Sequence, residues 1–229
     1  MDFFQTSYYF DLTSFTHRSL FDPAEWVWNA LIDLKAYLHA QDLGLIDGDV
    51  SSLAFLINPE TISIGKGTVV EPGAYIKGPC IIGENCVVRH GAYIRGNLLT
   101  GSECVIGHDT EVKNAIFLNG VHAAHFAYVG DTILGNQVNL GAGTICANLK
   151  LDRKEISIYH EGNHFPTHLR KLGAIMGDGS QTGCNTVTNP GTLMGKGVLS
   201  YPCTNFGGFI PQNSVVKNST TVTIKPYKS

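Results

Sequence analysis

With 229 residues, 43% hydrophobic and 15% charged, and a net charge of −3, the chain is long enough for one sizeable core plus a small appendage. Its slight acidity and the lack of any Lys/Arg block argue against nucleic-acid binding, and no apolar run reaches the ~18 residues of a membrane span. The start, MDFFQTSYYFDLTSFTHRS, lacks a signal peptide's basic beginning and apolar run, so a cytoplasmic protein without membrane partners is expected. Cys80, Cys86, Cys104, Cys146, Cys184 and Cys203 form no C-x-x-C pair and read as reduced thiols packed in a core.

In chain order, the first element is a helix. Asp22-Pro23-Ala24-Glu25 offers an N-cap, a first-turn proline and a capping-box Glu. Val27, Leu31, Leu34 and Leu38 follow at helical spacing to about residue 40. Its polar face is not basic, so this 1–60 segment is expected to cover an exposed end of the downstream domain rather than lie on a membrane.

From about residue 61 the chain falls into sixes: IGKGTV, VEPGAY, IKGPCI, IGENCV, VRHGAY, IRGNLL, TGSECV, IGHDTE, VKNAIF, LNGVHA. The hexads open on Ile64, Val70, Ile76, Ile82, Val88, Ile94, Thr100, Ile106, Val112 and Leu118, and their fifth positions are mostly small. The pattern resumes at Leu134 and Leu140, and again from Met176. A period of six suits neither a helix nor a hairpin meander, but it suits a parallel β-helix of three short strands per coil. The turns then require Gly and Asn, which accounts for the 26 glycines. Residues 61–229 are expected to form this domain, interrupted by a loop over 155–174. Tyr75, Tyr93, Ile94 and Phe117 are expected at or near its outer surface, leaving apolar area that trimerisation would cover.

In a three-hexad coil, residues eighteen apart stack. Arg95 and Lys113 are such a pair, in outward second positions with no sequence-local carboxylate between them, and a bound phosphate would relieve their repulsion. Two solvated surface cations are the bland alternative. The stretch HAAHFAYVGD, 122–131, then breaks the rhythm with a His, a Tyr and an Asp. His125 stands on a neighbouring face, and a neutral imidazole near phosphate-binding cations suits a general base.

HFAYVGDTILGNQVNLGAGTICAN, 125–148, closely resembles the active-site segment of the glucosamine-1-phosphate N-acetyltransferase domain found in the bifunctional enzyme of UDP-N-acetylglucosamine synthesis. The resemblance spans roughly 61–205 and implies a left-handed β-helix that forms homotrimers with sites between subunits. It implies His125 as catalytic base. Arg95 and Lys113 would bind the phosphate, and Tyr128, Asn139 and Lys154 the sugar. Ala142 and Asn148 would contact acetyl-CoA, the acyl donor, with no metal required. Gly183 stands where the family has an acetyl-CoA-contacting Ser. Amides of the Leu140–Gly143 turn would stabilise the oxyanion.

Three departures accompany the likeness. No Gly-rich nucleotide loop precedes the hexads, so uridylyl transfer is not expected. The 155–174 loop is longer than the family's, and its His160, His164, His168, Arg170 and Lys171 would cap the site, bind a CoA phosphate, or order a trimer interface. The C-terminal tail offers no clear Arg for the CoA phosphates. Two rival readings stay open. His90 and His108 stack while His122 and His125 lie close together, as a γ-carbonic-anhydrase-like zinc site shared between subunits would require. The altered donor positions also suit a non-catalytic binding subunit for a sugar phosphate or nucleotide sugar.

Overall fold

The structure, a computed structural model, describes residues 2–218; the tail from 219 onward lies outside the described residues. The body is the expected left-handed parallel β-helix of about 9 turns. One face is a nine-stranded parallel sheet running from Asp49–Val50 to Val215–Val216. The second and third faces share a 14-stranded sheet, because Glu111–Phe117 and Tyr128–Leu134 continue unbroken around the corner between them. Parallel pairing begins before residue 61, with the Ile46↔Ile64 bridge and the strands Asp49–Val50 and Phe55–Ile57, so the domain boundary moves toward residue 46.

After a first coil whose strands pair at twenty residues (Asp49↔Val69, Phe55↔Tyr75), stacking follows the eighteen-residue period, as in Val69↔Val87↔Val105 and Ile64↔Ile82. It then contracts: Leu98 pairs with Ala115, and Val105 with His122, each seventeen apart. The Gly96–Asn97 corner of one coil becomes the single left-handed residue Asn114 in the next, and Asp131 in the one after. The contraction shifts the phase of the repeat. Phe117, not Leu118, follows Thr100 in the inward column that continues through Leu134 and Met176. Leu118 instead packs on the outside, under the N-terminal segment. Ile94 and Phe117, expected near the surface, are fully buried in the coil core, whereas Tyr75 and Tyr93 do stack outward with ring centroids 5.1 Å apart.

Glycine is dictated by close approach as much as by turns. A Cβ on Gly141 would lie 2.5 Å from the Gly183 carbonyl carbon, and one on Gly183 would meet the Tyr201–Pro202 backbone. Cys80, Cys86, Cys104 and Cys146 are buried as expected, but Cys184 and Cys203 are exposed. These two stand in corner turns beside or at left-handed residues, not at the inward fifth position.

The helix spans Asn29–His39 with Trp28 at its N-cap, six residues later than the capping signal at Asp22 suggests. Asp22 instead closes the 3₁₀ turn Arg18–Phe21. Between them Val27 donates its N–H to the Phe4 carbonyl at 2.9 Å, and Trp28 is buried edge-on against Phe4. Burial of this aromatic segment outweighs the local helix signal. Leu31, Leu34 and Leu38 are buried as the stripe predicts, but against the third face of the coil, not its end. That face presents outward Leu99, Ile116, Ile133, Ile175 and Leu193, apolar area that water would penalise. The hairpin Ser157–His160/Asn163–Pro166 completes the cover, with Phe165 against Phe4 and His160 against Phe3, and the coil resumes at Ala174. Among the described residues no helix is long and apolar enough to cross a membrane.

Burial lowers the pKa of His17 below its ordinary 6.5, with Nδ1 held 2.9 Å from the Tyr37 hydroxyl. The unfolded chain takes up this proton more readily than the folded one, so stability is full above about pH 6.5 and declines as pH falls below it. Melting temperatures measured between pH 7.5 and 5 should show that decline, and His17→Gln should flatten it.

Candidate active site

Alternation along Glu111–Phe117 sends Glu111 and Lys113 to the same outer side. The register Tyr93↔Glu111, Ile94↔Val112 sets Arg95 beside Lys113, as the period predicts. The stack is not a bare pair of cations, however. Arg95 Nη1 lies 2.7 Å from Glu111 Oε1, and Lys113 Nζ lies 3.3 Å from Asp131 Oδ2. Both carboxylates lie where the spacing rules put them: Glu111 two residues before Lys113 on the same side of the strand, and Asp131 eighteen residues after it, in the next coil. Glu111 holds the Arg95 pKa above its ordinary value.

Asp131 is the centre of this cluster. It is 7% exposed and sits at the contracted corner with φ +49°. Its carboxylate accepts hydrogen bonds from Lys113, from Asn114 Nδ2 at 2.9 Å and from Asn148 Nδ2. Asn148 Nδ2 also lies 3.3 Å from the Tyr128 hydroxyl. Burial raises the Tyr128 pKa, with the Glu111 and Asp131 charges adding to it, so the phenol stays protonated and able to donate. The Asp of the broken hexad therefore organises the cations and amides around Tyr128. Its signal in the sequence is the Gly-Asp pair at the break, where a left-handed corner favours Asp or Asn.

Gly130 gives the cluster its room. A Cβ there would lie 2.7 Å from both the Tyr128 hydroxyl and Asn148 Nδ2. Gly130→Ala should displace one of these two groups and cost about 1–3 kcal/mol of stability, the scale of a disrupted buried hydrogen bond, as measured by urea denaturation.

The other predicted residues lie elsewhere in the single chain. His125 ends the first-face strand His122–His125, in register with His108, and is exposed; its carbonyl accepts from Gly143 N–H at 3.1 Å. It is separated from Tyr128 by a corner at Phe126, φ +53°. Asn139 is exposed on the same face as His125, paired with His122 and Gln181. Ala142 and Gly183 occupy successive turns between the first and second faces. Asn148, matched to the donor by resemblance, stands instead with Tyr128 and Asp131. Lys154 is exposed immediately before the inserted loop, its backbone N–H bonded to Asp152. In the proposed oxyanion turn, the Gly141 and Gly143 amides already bond to Thr182 and His125, leaving Ala142 N–H without an acceptor among the described residues. His90 and His108 stack at 5.8 Å as expected, and among the described residues no three His, Cys, Asp or Glu converge as metal ligands.

Residues 76–162 match the family model of the GMPPB C-terminal domain. A bifunctional sugar-1-phosphate nucleotidylyltransferase/acetyltransferase of Sulfurisphaera tokodaii is 39% identical over 92 residues, 40% of this chain and 23% of that protein. The bifunctional protein GlmU of Methanococcus maripaludis is 36% identical over 118 residues, 51% of this chain and 28% of the relative. The β-helical body resembles the hexapeptide-repeat C-terminal domain of the GlmU proteins. The GlmU-like stretch spans about a quarter of the length of these curated relatives. Among solved structures, an Arabidopsis UDP-N-acetylglucosamine acyltransferase aligns over 76% of this chain and 71% of its own, at 13% identity and a TM-score of 0.44.

Proposed function

We propose that the chain transfers an acetyl group from acetyl-CoA to the amine of an aminosugar 1-phosphate. The observation that carries this reading is the Arg95–Lys113 row flanked by Tyr128 and Asn148. A phosphate oxygen exchanges with Glu111 at Arg95, since a half-exposed pair of that kind is worth only about 0–1 kcal/mol. Lys113, steadied by Asp131, supplies the second charge, and the Tyr128 hydroxyl donates to the acceptor. Asn139 and Lys154 contact the sugar.

The amine nitrogen attacks the thioester carbonyl while His125 takes its proton. The N–C bond forms, the Ala142 N–H stabilises the oxyanion, the C–S bond breaks, and the imidazolium gives its proton to the departing CoA thiolate, releasing the free thiol. Holding both substrates in place supplies much of the acceleration. His125 and the cation row occupy different faces of one coil. That arrangement supports a homotrimer whose sites lie between subunits, buried behind the exposed apolar side chains of Tyr93, Phe126 and Ile145.

The test is release of free thiol from acetyl-CoA with glucosamine-1-phosphate as acceptor. Acceptor-dependent release supports the reading, whereas binding of glucosamine-1-phosphate without acetyl-CoA binding would favour a non-catalytic sugar-phosphate subunit.

A further inference from the structure

A cavity of about 480 Å³ opens on the far side of Asp131, at the corner between the second and third faces. Helix Asn29–His39 contributes Leu31, the coil contributes Asn114 and Asp131, the segment leading into the inserted loop contributes Leu149 and Arg153, and the loop itself contributes Leu169, Arg170 and Lys171. Its volume falls within the ~300–1,000 Å³ of small-molecule sites and well above the need of a lone phosphate.

The charge balance is one-sided. Arg153, Arg170 and Lys171 make no ion pair among the described residues. The single carboxylate in the wall, Asp131, is already occupied by Lys113, Asn114 and Asn148. Three cations facing a cavity with no free counter-charge repel one another, and an anion relieves that repulsion. The fold also holds the loop there. Leu149 and Lys171 form an antiparallel bridge at its base, and Arg170 Nε donates to the Arg153 carbonyl at 3.3 Å.

We infer that this cavity takes the second phosphate and nucleoside of a nucleoside-diphosphate aminosugar, a deepening that rests on the acetyltransferase reading of the adjoining site. Arg95 and Lys113 satisfy one phosphate, and the cavity shares the Asp131 wall with Lys113, so a pyrophosphate bridging the two meets cations at both ends. The Leu31, Leu149 and Leu169 side chains then give the body of the nucleoside an apolar wall. CoA is the less suitable occupant, because Ala142 and Gly183 lie at the other edge of the second face.

Calorimetric titration of the full chain with UDP-glucosamine and with glucosamine-1-phosphate tests this. UDP-glucosamine should bind at least about tenfold more tightly, with the gap narrowing as NaCl rises. Arg170→Ala/Lys171→Ala should close the gap by weakening UDP-glucosamine, and Arg170→Ala alone should close part of it. Equal affinities in the unmodified protein, equal losses for both probes in the variant, or a loss confined to acetyl-CoA would each overturn the inference. A persistent affinity gap with no acetylation of either acceptor would count against the acetyltransferase reading and leave the cavity's assignment standing.

Discussion

His125→Ala should lower kcat at least about a hundredfold in the thiol-release assay, the usual scale for a lost general base. The fold gives the experiment a clean background. The imidazole is exposed and makes no side-chain hydrogen bond among the described residues, while the backbone bond from Gly143 to the His125 carbonyl survives substitution. Surface changes of this kind usually move stability by no more than about 0.5 kcal/mol. Affinity for glucosamine-1-phosphate should therefore persist, since Arg95 and Lys113 stand on another face. A variant with near-normal kcat would remove His125 from the reaction and transfer attention to the other groups near Tyr128.

Asp131→Ala should cost about 3 kcal/mol of stability. Two effects add. Alanine at φ +49° pays the left-handed penalty of about 1–2 kcal/mol, and the half-buried Lys113 and the Asn114 and Asn148 amides lose a shared acceptor, at about 1–3 kcal/mol. Asp131→Asn keeps the corner conformation and one acceptor oxygen, so it should lose less than half as much. Urea denaturation of the two variants measures the difference. If the Ala variant matched the unmodified protein, Asp131 would not be the organiser of the cluster. Both variants should also raise the acceptor KM, because Lys113 is no longer held against the second face.

The two substitutions differ in how far the sequence foretold them. His125 is singled out by the sequence because it interrupts a repeat and stands in a segment resembling a known active site, and its catalytic role rests on that resemblance. Asp131 sits six residues later in the same break, and the period of eighteen offers its pairing with Lys113, but its seventeen-residue contacts to Asn114 and Asn148 follow only from the contracted corner. Glu111 is a mixed case. It lies two residues before Lys113 on the same side of the strand, but its salt bridge to Arg95 crosses to the preceding coil.

The coil follows from the residue pattern alone. Inward aliphatic residues every six positions, small fifth positions and Gly or Asn at corners leave a parallel β-helix as the arrangement that buries them all. The same arithmetic placed Arg95 beside Lys113, because stacking between successive coils depends only on chain separation. What the period could not carry was the loss of one residue at Asn114 and again at Asp131. Phe117 and Leu118 are both apolar, so either could point inward, and only the packed coil selects Phe117. The helix start was decided in the same way, by Trp28 and Val27 burying against Phe4 despite a capping signal at Asp22. The cation-lined cavity exists because an apolar third face recruits the N-terminal helix and the inserted loop from opposite directions. Residues 31 and 171 thereby line one cavity, and the cause is the area that must leave water, which local pattern does not record.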